Sequence, residues 1–84
     1  MAPGFEITCV NRRADGTIVR VGGQGWSLDI HEAVFRIVTG QLRLNLFLDN
    51  TFVVVGVRGE GRAAYLALEP DGRPLSAVDG LPSC

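Results

Sequence analysis

Apolar and polar residues alternate along several short stretches of the chain, with the two-residue period typical of half-buried strands. Residues 6–10 and 17–21 make up the first two such stretches, and Asp15-Gly16 between them is a turn dipeptide. This pattern predicts an N-terminal β-hairpin. The glycine-rich segment 22–25 then interrupts the alternation, and we expect it to connect the hairpin to the next element.

After this segment, the apolar residues recur every three to four positions, which is the spacing of a helix. Asp29 is a good N-cap, and Glu32 three residues later predicts a capping box. Gly40 follows the last periodic residue and can take the left-handed conformation that ends a helix. The apolar stripe consists of Ile30, Ala33, Val34, Ile37 and Val38. Together these signals predict one helix over residues 30–39.

Strand-like alternation returns in residues 41–48 and 51–58, which are separated by the two residues Asp49-Asn50. A two-residue turn determines which residues face each other across a hairpin. The predicted inward pairs are Leu46 with Val53, Leu44 with Val55, and Leu42 with Val57. On the opposite face, Phe47 lies across from Phe52, Asn45 from Val54, and Arg43 from Gly56. We expect the helix to cover the inward face.

A third strand, residues 63–68, follows a turn at Glu60-Gly61. The same counting places Ala64, Leu66 and Leu68 beside Val57, Val55 and Val53, respectively. It also places Tyr65 over Gly56, within reach of Arg43 for a cation–π contact. The sequence therefore predicts an α+β domain of order ββαβββ, in which a mainly antiparallel five-stranded sheet carries one helix on one face.

The C-terminal tail, residues 69–84, begins with the turn sequence Glu69-Pro70-Asp71-Gly72. Two further prolines disfavour a regular strand or helix, and spaced apolar residues predict that the tail packs on the body. The chain ends on Cys84, for which three interpretations stay open. It is a small buried hydrophobe, a residue in disulfide or near-contact with Cys9, or a reactive or liganding thiol.

A set of short motifs occurs in a distinctive order. It includes Ile7-Thr8-Cys9-Val10, Gly25-Trp26 before the helix, Glu69-Pro70-Asp71-Gly72, and the closing Leu81-Pro82-Ser83-Cys84. Taken together, the set resembles a family of small bacterial single-domain proteins of unknown function, over residues 7–84. Members of that family often carry Asn-Asn-Leu-Leu where this chain has residues 73–76, Arg-Pro-Leu-Ser. The resemblance implies no activity, substrate or cofactor.

Size and charge narrow the range of functions. The chain has 84 residues, which suits a single domain over residues 1–84. It has no apolar run of about 18 residues and no signal-like segment at residues 1–4, so we expect a cytoplasmic protein that does not bind membranes. The net charge is −1 and the eight arginines are scattered along the chain, which disfavours nucleic acid as a partner.

Little in the sequence suggests catalysis. Two cysteines and one histidine fall short of the four ligands of a structural zinc site, so we expect no metal and no cofactor. His31 falls in the first turn of the helix with only Ser27 nearby in sequence, and no catalytic triad can be assembled. Most carboxylates lie in caps or turns. We therefore expect no catalytic residues and no enzyme activity.

Two groups of residues remain as candidate binding sites. The first is the outer sheet face, with Arg43, Phe47, Phe52, Val54 and Tyr65. Either the tail covers this face or a protein partner does, most readily a second copy. The second group is Gly23, Gly25 and Trp26, which together with the helix N-terminus would bind an anion or small ligand.

The leading functional hypothesis is a non-catalytic protein-interaction module that self-associates through the outer sheet face. The main alternative is a small-ligand or anion binder at the glycine-rich loop. A weaker alternative is binding of single-stranded nucleic acid to the aromatic residues of the sheet.

Overall fold

The computed structural model describes residues 3–69 and 71–84. Within this part of the chain there are eight strands, one α-helix and two short 3-10 turns. The strands are β1 (Gly4–Glu6), β2 (Cys9–Arg12), β3 (Ile18–Gly23), β4 (Trp26–Asp29), β5 (Arg43–Leu48), β6 (Thr51–Arg58), β7 (Tyr65–Leu68) and β8 (Arg73–Pro74). The helix α1 spans Ile30–Val38, and the 3-10 turns span Gly61–Ala63 and Leu75–Ala77.

The strands form two sheets, so the predicted single five-stranded sheet of order ββαβββ is wrong. One sheet has five strands in the order β1-β5-β6-β7-β8, and the other has three in the order β2-β3-β4. The five-stranded sheet is mixed, because β1 pairs with β5 in parallel while its other pairs are antiparallel.

The N-terminal segment divides between the two sheets instead of forming one strand. The Ile7 amide donates to the Asn45 carbonyl of β5 at 2.8 Å, whereas the next amide, Thr8, donates to the Gly22 carbonyl of β3 at 2.9 Å. The alternating pattern of residues 5–10 does not reveal this change of partner, because both halves keep a strand conformation. Ile7 itself is 1% exposed, at the junction of the two sheets.

The glycine-rich segment forms a hairpin, which adds a strand that the sequence analysis did not predict. Gly23 at the end of β3 pairs with Trp26 at the start of β4, which leaves the two-residue turn Gln24-Gly25 between them. Gly25 has φ +79°, a conformation that favours glycine. The segment therefore continues the three-stranded sheet and does more than connect the predicted hairpin to the helix.

The helix forms close to its predicted position. Asp29 caps it, with Oδ1 accepting from the His31 amide at 2.9 Å, and Gly40 follows its end with φ +75°. Glu32 forms an ion pair with Arg36 at 3.0 Å instead of completing a capping box. Ala33 is fully buried and the helix contacts β3, β4 and β6. Val38, predicted in the apolar stripe, is 68% exposed.

The central β5–β6 hairpin has the predicted register. Leu46 pairs with Val53, Leu44 with Val55, Asn45 with Val54 and Phe47 with Phe52. Both turn residues, Asp49 and Asn50, have positive φ (51° and 63°), as the tight hairpin turn requires. All six residues predicted to point inward belong to the hydrophobic core or pack against it. The predicted Leu42–Val57 and Arg43–Gly56 pairs lie beyond the paired part of β5 and β6.

The third strand of the meander is displaced by two residues from the prediction. Leu66 pairs with Val57 and Leu68 with Val55, because a longer loop containing Gly59 (φ +84°) and the Gly61–Ala63 turn replaces a tight turn. A two-residue shift keeps every side chain on its expected face. It nevertheless moves Tyr65 opposite Arg58, so the predicted placement of Tyr65 over Gly56 is wrong.

The C-terminal tail joins the two sheets. It enters the five-stranded sheet as β8, and then places Leu75 and Val78 in the core, each 1% exposed. Further on, the Pro82 carbonyl accepts a hydrogen bond from the Val10 amide of β2 at 3.0 Å. The tail thus connects one edge of the five-stranded sheet to the edge of the three-stranded sheet.

Cys84 forms a disulfide with Cys9, 75 residues away in sequence, with 5.0 Å between the Cα atoms. Of the three interpretations left open, the structure selects this one, and neither cysteine is free. Cys84 is exposed, so it is not a buried hydrophobe. A Cβ atom at Gly22 would meet the Sγ atoms of Cys84 and Cys9 at 3.0 and 3.2 Å, so the missing side chain of this glycine leaves room for the bond.

No helix in the described part of the chain has the length and apolarity needed to cross a membrane.

Candidate functional site

The outward side of β5 and β6 carries an apolar patch, defined by Phe47, Phe52 and Val54 and called the outer patch below. These side chains are 49%, 63% and 58% exposed. The two phenylalanine rings are in contact, with centroids 4.9 Å apart and planes tilted by 60°. The helix packs on the inward side, and the tail runs from β8 to β2. The outer patch therefore lies open to solvent.

The other two residues predicted for this surface lie outside the outer patch. Arg43 is exposed at the start of β5, two residues before Asn45, so it flanks the patch. Tyr65 begins β7 opposite Arg58 and is 41% exposed. Ala67, Gly56 and the Glu69 side chain lie between Tyr65 and the patch. The structure therefore brings together three of the five predicted residues, with a fourth beside them.

An ion pair crosses the middle of the outer sheet face. The Arg58 guanidinium donates to both carboxylate oxygens of Glu69, at 3.2 and 2.7 Å. These hydrogen bonds lower the pKa of Glu69 and raise that of Arg58. The Glu69 carboxylate also occupies the space over Gly56, where a Cβ would lie 2.8 Å from Oε1. The pair thus shields strand backbone that has no side chain of its own.

This ion pair makes stability depend on pH in a predictable direction. Because folding lowers the pKa of Glu69, the pair stabilises the fold above the unfolded-state pKa, and this contribution is lost as the pH falls through the folded-state value. We expect the melting temperature of the wild type to fall more steeply than that of Glu69→Gln between about pH 5 and pH 3. Parallel profiles, measured by circular dichroism, would show that the pair contributes nothing.

The predicted ligand site at Gly23, Gly25 and Trp26 has a different geometry from the one expected. A Cβ at Gly23 would overlap the Glu6 carbonyl and the Trp26 indole, so this glycine allows the ring to lie across the strand. Trp26 is half-buried and contacts the Phe5 ring, with 5.6 Å between centroids. These contacts place the indole at the edge of the core.

The helix N-terminus lies apart from this glycine-rich turn. Four residues of β4 separate Gly25 from the first residue of α1, a span of roughly 13 Å for an extended strand. The Asp29 carboxylate already accepts the hydrogen bond of the His31 amide. The structure therefore does not bring the turn and the helix start together into one site.

Sequence reasoning missed a basic cleft on another side of the molecule. It has a volume of about 560 Å³, and Arg12, Arg13, Arg62, His31 and Tyr65 are among the residues that line it. About fifty residues separate Arg13 from Arg62, and apart from the adjacent Arg12 and Arg13 the arginines are scattered along the sequence. The Arg12-Arg13 pair is the one local signal. The long loop before β7, which brings Arg62 near them, was itself not predicted.

Among the described residues, no group of three or more His, Cys, Asp or Glu side chains is placed to hold a metal ion. Comparison with family models, curated proteins and solved structures finds no match to this chain. The resemblance to a family of small bacterial proteins thus rests on the sequence motifs alone.

Proposed function

We propose that this protein is a non-catalytic interaction module that binds a second copy of itself through the outer patch. The observation that carries the proposal is the exposure of Phe47, Phe52 and Val54 on one continuous strand surface. Contiguous apolar surface of this kind is typical of interaction sites on small soluble domains. The tail, which was the alternative cover for this surface, packs elsewhere.

The charges around the outer patch favour a second copy as the partner. Asn45 of β5 lies on the same side of the sheet as the patch, and Glu6 of β1 pairs with it. Arg43, two residues before Asn45 on the same strand, therefore also lies on this side. Arg58 and Glu69 neutralise each other. This face therefore carries balanced charge, and a two-fold axis can bring Glu6 of one copy towards Arg43 of the other.

The size of the face is also adequate. The molecule measures 31 × 30 × 27 Å along its principal axes. A stable interface buries about 800 Å² on each partner, which one whole face of such a molecule can supply. The outer patch would form the apolar centre, and the charged residues would form the rim.

Measurement of the molecular mass in solution tests the proposal of self-association directly. We expect the wild type to have the mass of a dimer by light scattering, and Phe47→Arg/Phe52→Asp to have the mass of a folded monomer. Phe35→Arg is the matched control, because Phe35 is 56% exposed but lies on the helix. This control should remain dimeric. A monomeric wild type at about 100 µM would overturn the proposal.

Single-stranded nucleic acid is less well supported as a partner of this face. Such proteins combine stacking aromatic rings with a positively charged groove. Here Arg43 is the arginine that flanks the outer patch, whereas Arg58 is engaged with Glu69. The face lacks the excess positive charge that a phosphate backbone requires.

The disulfide indicates in which kind of cellular compartment the protein functions. Disulfides persist in oxidising compartments and are rare in the cytosol. The Cys9–Cys84 bond therefore weighs against the cytoplasmic location that the sequence led us to expect. We propose that the functional form is oxidised, so thiol labelling of the protein in intact cells should fail unless a reductant is added.

A further inference from the structure

We propose that the basic cleft binds a small phosphate monoester that carries a compact apolar group. The cleft lies between the β2–β3 turn, the start of α1 and the segment that precedes β7, and Ser76 of the tail also lines it. Its volume, about 560 Å³, falls within the range of small-molecule sites. The proposal is independent of self-association, since the outer patch contributes no residue to this cleft.

Positive charge is concentrated in the cleft. Three of the chain's eight arginines line it, against one of its nine carboxylates, in a molecule whose net charge is −1. The one carboxylate, Asp15, accepts a hydrogen bond from the Thr17 amide at 2.9 Å, which lowers its pKa. The cleft is therefore a local positive field on a slightly negative protein, which attracts anions.

None of the three arginines forms an ion pair within the part of the chain that the structure describes, although Arg13 is near enough to Asp15 to help lower the pKa of that carboxyl. Among the described residues, the ion pairs are Arg36 with Glu32 and Arg58 with Glu69. Arg12 donates instead to the carbonyls of Gly16, Ser76 and Val78, at 3.2, 2.8 and 2.8 Å. Carbonyl oxygens satisfy its N–H groups but leave its charge uncompensated. Arg12 is thus held as a fixed cation in the cleft wall.

The backbone contributes to this arrangement. The pairing of β2 with β3 shifts register between Asn11 and Arg12, immediately before the two adjacent arginines. Irregularities of this kind change the direction in which the following side chains point. Arg13 and Arg62 line the cleft from different segments, since Arg13 directly follows β2 and Arg62 lies in the Gly61–Ala63 turn. Guanidinium groups from two separate segments suit an anion with several oxygens.

The other residues that line the cleft favour an apolar group on the ligand, attached to the phosphate. Ile18, Ile30, Leu66 and Leu75 contribute apolar surface to the cleft, and Tyr65 adds an aromatic ring. An apolar group attached to the anion would bury against them. A phosphate dianion matches the number of cations better than a single carboxylate does, and the apolar lining favours a monoester over inorganic phosphate.

Titration with phenyl phosphate, followed by amide chemical shifts, tests the proposal. We expect saturable shifts at Thr17, His31 and Arg62, and binding about tenfold weaker in Arg13→Gln/Arg62→Gln. These two side chains make no described hydrogen bond, so the variant should fold, as a thermal melt can verify. Arg20→Gln is the matched control, because Arg20 does not line the cleft, and it should bind as the wild type does.

Each other outcome counts against the proposal. The absence of shifts at about 10 mM ligand would overturn it. Equal weakening by Arg20→Gln would show that only overall charge matters. Inorganic phosphate bound as tightly as phenyl phosphate would overturn the monoester assignment, and benzoate bound as tightly would overturn the preference for a dianion.

Discussion

Replacement of both cysteines by serine is expected to lower the free energy of unfolding by about 4 kcal/mol. The bond joins residues 75 apart, so it removes much of the conformational freedom of the unfolded chain. A domain of this size has a total stability of roughly 5–10 kcal/mol, so about half of it depends on this one bond. Urea denaturation of the Cys9→Ser/Cys84→Ser variant and of the wild type measures the difference.

Reductant provides the control for this experiment. The wild type in dithiothreitol should approach the stability of the double variant, whereas the variant should not respond to the reductant. We also expect faster hydrogen exchange at the Val10 amide in the variant, because its acceptor is the carbonyl of Pro82, two residues before Cys84. A stability loss below about 1 kcal/mol would contradict the chain-entropy argument.

Gly23→Ala is expected to cost about 3 kcal/mol. The added methyl group would overlap the Glu6 carbonyl and the Trp26 indole. Neither neighbour can move freely, because Glu6 is paired with Asn45 of β5 and Trp26 packs on Phe5. The change should also alter the tryptophan fluorescence of the folded state, since the indole must leave its place across the strand.

Gly4→Ala is the matched control for this substitution. At Gly4 the nearest atom to a new Cβ is Asn45 Nδ2 at 3.8 Å, an ordinary contact, so we expect a change within about 0.5 kcal/mol. If Gly23→Ala were as stable as Gly4→Ala in urea denaturation, the close packing of Trp26 against β3 would be wrong.

Local signals predicted the parts of the fold that depend on neighbouring residues. Asp49-Asn50 determined the β5–β6 register, because a two-residue turn leaves no freedom in the pairing. Asp29 and Gly40 marked the ends of the helix for the same local reason. The loop before β7 could not be predicted in this way, since Gly59 and Gly61 allow turns of more than one length.

The same distinction, between features that local sequence signals predict and features that they do not, applies to the candidate sites. The outer patch follows from alternation on a hairpin whose register was known, so Phe47, Phe52 and Val54 were predicted together. Tyr65 was assigned to the wrong surface because its strand is displaced by two residues. The arginines of the basic cleft come from segments that are distant in sequence, and only the packed chain brings them together.

Periodicity and turn chemistry by themselves determined the helix, the two hairpins β2–β3 and β5–β6, and the six inward-pointing side chains of the β5–β6 hairpin. Beyond these hairpins they could not determine which strand pairs with which, because an alternating pattern is equally suited to any partner. Only the tertiary structure decided that the first residues divide between two sheets at Ile7 and Thr8. It also decided that the tail returns to β2, where Cys84 meets Cys9.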